Sequence, residues 1–373
     1  MKPILKFLIP ALAGGIAGYF IAPLFPDLFD KMIPNLPEWY TILVYIFFSF
    51  FLVVGIHELG HILAGLFHRF QFRFVTVGPL KVELVNGKLQ FKVNTELNTM
   101  GGLTLMFPSK SFTRSQMIQY YAGGPLFSLI FGGGILFWFI LSDVVIGEGL
   151  LFWMIASVMS LVIGFVSLIP VSNGDLHTDG SQMLDFLQGG NRGIRKLYLL
   201  KLSAASTNGL RPSEWDAHTM EASLKINQDK NDQFAAFTYL YGFYNMMDSG
   251  NKEYAVEILE KAWQKTEKLS PLIKSAVALE MAFKEAYKEN NAERSRTLQS
   301  SMESGFIEKS SLLRLEAACL MSEENWEKAE STVVEALSYV DKSMDKGIAR
   351  LEKDWLNIMF DKIHSNFREK TVF

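Results

Sequence analysis

The residues of this 373-residue chain best suited by type and spacing to chemistry are His57-Glu58-Leu59-Gly60-His61. In a helix, residues four apart share a face, so two imidazoles at this spacing can reach one metal ion. Glu58, one residue on from the first histidine, stands beside that metal and can take a proton from water activated there. Imidazole and carboxylate are usual zinc ligands, and amide hydrolysis needs no redox change, so Zn2+, one per chain, is the expected cofactor. His57 and His61 are the expected ligands and Glu58 the expected general base. On a solvated helix these five residues would carry little weight. Here Tyr40 to Ile56 contains no charged residue, and Ile62-Leu63-Ala64-Gly65-Leu66-Phe67 follows the motif. Ionisable groups in so apolar a helix are costly without a functional partner.

A third ligand must come from elsewhere. The first glutamate after Glu58 is Glu83, in a strand-like segment, which argues against the soluble arrangement with a glutamate one helix further on. The stretch Ile169-Pro170-Val171-Ser172-Asn173-Gly174-Asp175-Leu176-His177-Thr178-Asp179-Gly180 offers Asp175, His177 and Asp179. Asp175 sits in a turn-rich setting, where a solvated aspartate is ordinary. Asp179 precedes a glycine, which lets the backbone turn tightly or pack close behind a ligating side chain. Apolar residues resume at Met183, Leu184 and Phe186, as expected if a helix starts there.

These residues need elements to hold them. A bilayer takes about 20 apolar residues to span, and Phe7–Phe25, Tyr40–Phe67, Met117–Leu141 and Leu150–Ile169 are long enough. Lys2 and Lys6 ahead of the first run would also suit a signal peptide. That run is long for one, however, and no clear small-x-small cleavage site follows it before Pro23 and Pro26, so a retained helix is expected. Loop charges orient the spans. Asp27, Asp30, Lys31 and Glu38 make the first link acidic, and Asp143 and Glu148 do the same for the third. Between spans two and three lie Arg69, Arg73, Lys81, Lys88, Lys92, Lys110 and Arg114 against Glu83 and Glu96. Arg192, Arg195, Lys196 and Lys201 follow span four. A multi-pass integral membrane protein with both termini cytoplasmic is expected, and the inner ends of spans two and four bring the motif and the Asp179 segment to one level.

Three motifs in order resemble the site-2 protease family of intramembrane zinc metalloproteases: His57–His61, Gly123-Gly124-Pro125-Leu126-Phe127-Ser128, and Asp179-Gly180. The resemblance covers roughly residues 40–190. It implies hydrolysis of a peptide bond in or near a transmembrane segment of a membrane-protein or peptide substrate, with Asp179 joining His57 and His61 on zinc. The chain departs from the family pattern at Ser128 and Ser167, where asparagines thought to hold the substrate strand are common. Its interval from Pro170 to Asp179 is also longer than in the common form.

Phe74 to Asn94 reads as strands. Leu80, Val82 and Leu84 alternate with Lys81, Glu83 and Val85, and Leu89, Phe91 and Val93 mirror them after Asn86-Gly87, a strong hairpin signal. Such a hairpin either covers the domain or offers a sheet edge to an unwound substrate, since a protease binds its target extended.

From about residue 190 the sequence turns to amphipathic helices. Gly250-Asn251-Lys252-Glu253-Tyr254-Ala255, Asn290-Asn291-Ala292-Glu293-Arg294-Ser295 and Glu324-Asn325-Trp326-Glu327-Lys328-Ala329 echo one another. Each falls between two helices, a rhythm similar to tetratricopeptide repeats, whose stacks bind protein partners. An irregular helical bundle fits the same fragments. Trp326 and Trp355 read as core, and His218 and His364 lack metal-ligand spacing. A net charge of -3 with no basic stripe excludes nucleic acid as an expected partner, and Cys319, the one cysteine, excludes internal disulfides.

The expected architecture is mainly α: a transmembrane metalloprotease domain at 1–190, with four transmembrane helices and a small β hairpin, then a cytosolic helical repeat-like domain at 191–373. A catalytically weak membrane scaffold, recruiting partners through the repeats, is the competing reading, motivated by Ser128 and Ser167. A zinc transporter would need ionisable residues in several spans, and spans one, three and four lack them.

Overall fold

The computed structural model describes residues 37–371, except 86, 95–98, 110, 143–146, 174–175 and 304–306. The apolar run Phe7–Phe25 therefore lies outside the described residues. Among those described, three helices are long and apolar enough to cross a membrane. They are α1 (Trp39–Phe67), α2 (Arg114–Leu141) and α3 (Glu148–Leu168). Their large apolar side chains, among them Phe47, Phe48, Ile130, Phe137 and Phe165, point outward, as suits a hydrocarbon solvent. The side chains they bury include small and polar ones, among them Ser49, Gly60, Gly124, Ser128, Ser157 and Ser160, beside an apolar cluster of Phe139, Leu151 and Met154.

Helix α2 starts three residues before the expected Met117 because Thr113 and Gln116 form a reciprocal cap. The Thr113 Oγ1 accepts from the Gln116 N–H at 3.3 Å, and the Gln116 Oε1 accepts from the Thr113 N–H at 2.8 Å. Two buried serines pin α3 to α2. Ser157 donates to the Gly132 carbonyl at 2.6 Å and Ser160 to the Ser128 carbonyl at 2.8 Å. In an apolar solvent such bonds and close packing of small residues replace the hydrophobic effect as the glue between helices.

Between α1 and α2 the chain forms an antiparallel sheet of β1 (Gln71–Val77), β2 (Leu80–Val85), β3 (Lys88–Val93) and β4 (Leu103–Phe107), in the order β3-β2-β1-β4. The expected hairpin is its β2–β3 half, with Val85 opposite Lys88 and Leu80 opposite Val93. The cross-strand pairs Leu80–Val93, Val82–Phe91 and Leu84–Leu89 share one face, while Glu83 on the other face pairs with Lys81 and Lys92. The sheet is larger than the hairpin because β4 joins β1 on its other side.

After α3, Thr178 organises the return of the chain. Its hydroxyl donates to the Ile169 carbonyl at 2.6 Å, and its Oγ1 accepts from Ser181 N–H at the start of α4 (Asp179–Gln188). Helix α5 (Asn191–Thr207) begins two residues beyond the Gly189 cap and serves two cores. Ala204, with Leu197 and Leu200, packs on Phe70, Met106, Phe112 and Phe186. Leu202 packs instead with Trp215, Met220 and Tyr239. Lys196 is buried beside α2, over the rings of Tyr121 and Phe186, and burial pushes its ammonium down to about 8.

The rest is helical: α6 (Ala217–Asn227), α7 (Gln233–Asp248), α8 (Lys252–Gln264), α9 (Pro271–Tyr287), α10 (Ala292–Ser300), α11 (Lys309–Ser322), α12 (Trp326–Val340) and α13 (Lys346–Thr371). The three echoed segments are the turns α7–α8, α9–α10 and α11–α12. Gly250, Asn290 and Glu324 hold left-handed backbone there. Asn251 N–H bonds the Met246 carbonyl and Asn325 N–H the Leu320 carbonyl, the same helix-ending closure twice. Trp326 and Trp355 pack against the cores of this region.

Candidate metal centre

His57 and His61 lie in the last three turns of α1 and are buried, as is Glu58. Asp179, first residue of α4, reaches both histidines. Its Oδ2 is 3.0 Å from His57 Nε2 and its Oδ1 is 3.3 Å from His61 Nε2. One ligand atom from each of the three lies within 4.8 Å of the others. Ligands at 2.0–2.2 Å around a tetrahedral zinc ion stand about 3.3–3.6 Å apart, and these separations are of that order. An ionised carboxylate and two imidazoles form a donor set that suits zinc.

The other ring nitrogens are held from α2. His61 Nδ1 donates to the Tyr120 carbonyl at 2.9 Å, and His57 Nδ1 is 3.0 Å from the Ser128 hydroxyl. Such outer partners fix the ring planes and leave Nε2 of each free to ligate. Tyr120, Gly124 and Ser128 are spaced by four along α2, matching the spacing of His57 and His61 on α1. Gly124 leaves the room between them, since a Cβ there would strike Nε2 of both histidines. Pro125, inside the same helix, lacks the N–H that the Tyr121 carbonyl would otherwise accept, which loosens the ladder beside the Tyr120 carbonyl.

Gly180 acts by close approach. A Cβ on it would overlap the Leu168 carbonyl at the end of α3, so glycine lets α4 start tight against that helix. Of the other third-ligand candidates, Asp175 lies outside the described residues. His177 is outside the metal cluster, and its Nε2 is 3.1 Å from Gln233 Nε2 on α7.

The cluster opens into a cavity of about 1020 Å3 between α1, α3 and the sheet. Its walls are mainly apolar, with Val54 on α1 and Met154 and Val158 on α3. Glu58 shares this cavity but is not among the clustered ligand atoms. Leu103 and Thr104 of β4, an outermost strand, form part of the wall, and so does Ser167, whose hydroxyl donates to the Gly164 carbonyl.

Sequence reasoning did not anticipate Ser128 as a partner of His57, the Tyr120 carbonyl as a partner of His61, or β4 beside the site. The four-residue spacing from Tyr120 through Gly124 to Ser128 was a usable signal for the first two. Comparisons of the chain with family models, with curated proteins and with solved structures return no match.

Proposed function

We propose that this chain is an intramembrane zinc metalloprotease, hydrolysing a peptide bond within or near a transmembrane segment of a membrane-protein or peptide substrate. The observation that carries the reading is the convergence of His57, His61 and Asp179 on one point beside Glu58, at the wall of an apolar cavity between membrane-type helices. His57, His61 and Asp179 would hold the ion. Zinc bound there supplies a Lewis acid that acidifies water and polarises a carbonyl. Glu58, buried and unspent as a ligand, accepts the proton of the attacking water and passes it to the leaving amine. The site resembles that of the site-2 protease family in all three motifs.

Cleavage requires an extended substrate. The outer edge of β4, unpaired among the described residues, borders the cavity and can take such a segment as an added strand, with the apolar walls on α1 and α3 receiving its side chains. The loop charges favour a cytoplasmic face for the sheet, α4 and the helical region beyond. The succession of helix pairs from α7 to α12 supports a tetratricopeptide-like surface for a protein partner.

The test compares membrane proteomes of cells carrying wild type and Glu58→Gln. One or more membrane proteins cut near a transmembrane segment in the first and intact in the second is the expected result. Identical proteomes, with both chains expressed and inserted, would overturn the proposal.

A further inference from the structure

We infer that Ser128 is the positioning residue of His57, and that it sets the zinc affinity of the site without being a ligand. The inference rests on the zinc reading above. A histidine binds metal through one ring nitrogen, and the bond made by the other selects tautomer and ring plane. The two histidines here are served differently. His61 leans on a backbone carbonyl, Tyr120 O, which no side-chain substitution removes. His57 leans on a hydroxyl, Ser128 Oγ, at 3.0 Å.

With Nδ1–H donating to Ser128 Oγ, the lone pair of His57 lies on Nε2, the atom 3.0 Å from Asp179 Oδ2. Ser128 and His57 are both buried, so water is a poor substitute for the hydroxyl. Without it, His57 Nδ1–H has no acceptor, and the ring gains by turning or by moving its proton to Nε2. Either change withdraws the lone pair from the metal point. The hydroxyl is itself well placed. Ser160, on α3, donates to the Ser128 carbonyl at 2.8 Å and fixes that turn of α2. Gly124, one turn earlier, keeps the space between the imidazoles open. The serine that departs from the family's asparagine therefore has work of its own at the metal.

Two roles can be separated. If the hydroxyl orients His57, affinity for zinc follows the presence of an oxygen at position 128. If Ser128 merely packs α2 on its neighbours, affinity follows helix packing instead. Zinc affinity is measured by chelator competition on the purified full-length chain in detergent, for wild type, Ser128→Ala, Ser128→Thr and Ser157→Ala. Ser128→Ala is expected to weaken zinc about 10–100-fold, the range seen when such outer partners are removed. Ser128→Thr restores the oxygen and should bind close to wild type. Ser157→Ala removes a packing bond of similar burial between the same two helices, to the Gly132 carbonyl one turn away, and should leave affinity nearly unchanged. Full affinity in Ser128→Ala overturns the assignment, and so does an equal loss in Ser157→Ala. A wild-type chain that binds no zinc overturns the metal reading itself, and this assignment with it.

Discussion

Two buried ionic clusters, one in each half of the chain, are built in opposite ways. Arg314 on α11 is 1% exposed, with Nη2 2.6 Å from Glu280 and Nε 3.1 Å from Glu352. Tyr244 donates a further hydrogen bond to Glu280 and Ser310 one to Glu352, and the guanidinium lies over the rings of Phe283 and Trp355. Its charges are spent on one another. At His57, His61 and Asp179 the outward ring nitrogens are tied down, while Nε2 of each histidine and the carboxylate converge beside a cavity. Burial of charge is thus common to a scaffold and to a site. What separates them is a set of donor atoms left pointing at a shared, accessible place.

The largest effect that can sharpen this contrast is at Glu58. Glu58→Gln should keep its zinc yet cleave about 10²–10⁴-fold more slowly, the usual contribution of a general base. Turnover near wild type in a zinc-loaded variant would remove Glu58 from the chemistry. The matching change in the other cluster is Arg314→Met, which leaves Glu280 and Glu352 buried without their partner. Breaking a buried pair costs about 3–5 kcal/mol. A lower thermal midpoint, with zinc content per folded chain unchanged, is expected. Loss of zinc in that variant, with stability kept, would contradict the division between the two clusters.

The smallest expected effect joins the halves. Gln233 on α7 meets His177, which lines the cavity close to Asp179. Gln233→Ala removes one neutral hydrogen bond, about 0.5–1.5 kcal/mol, so it should keep zinc and shift cleavage of a given substrate by about tenfold or less. A complete loss of metal would give this contact a far greater role.

Much of the site was legible because its parts follow helical spacing. His57 and His61 share a face by their separation of four, and the apolar run around them made a chance match implausible. Asp179 stood out by its glycine, for which the structure supplies a reason: α4 starts hard against the Leu168 carbonyl. The hairpin announced itself through alternation and Asn86-Gly87, and the three echoed turns through repetition. The strand β4 was not legible. Five residues after Gly101-Gly102 are too short a run to separate strand from loop, and β4 exists by pairing with β1, a contact distant in sequence. The break at residue 190 was drawn from composition, and α5 starts beside it. That helix turns Leu202 to one core and Ala204 to another, and a change in average polarity does not report such sharing. Ser128 read as a departure from a pattern because its partner lies on another helix.

Everything proposed for this site depends on His57, His61 and Asp179 holding a metal together. The most direct measurement is the zinc content of the purified full-length chain, wild type beside Asp179→Ala, with folding of both checked by their thermal melts. About one zinc per chain in wild type, and its loss in Asp179→Ala, is the expected result for a three-ligand site of this kind. A folded wild type without zinc, or an Asp179→Ala chain that keeps all of it, would contradict the account.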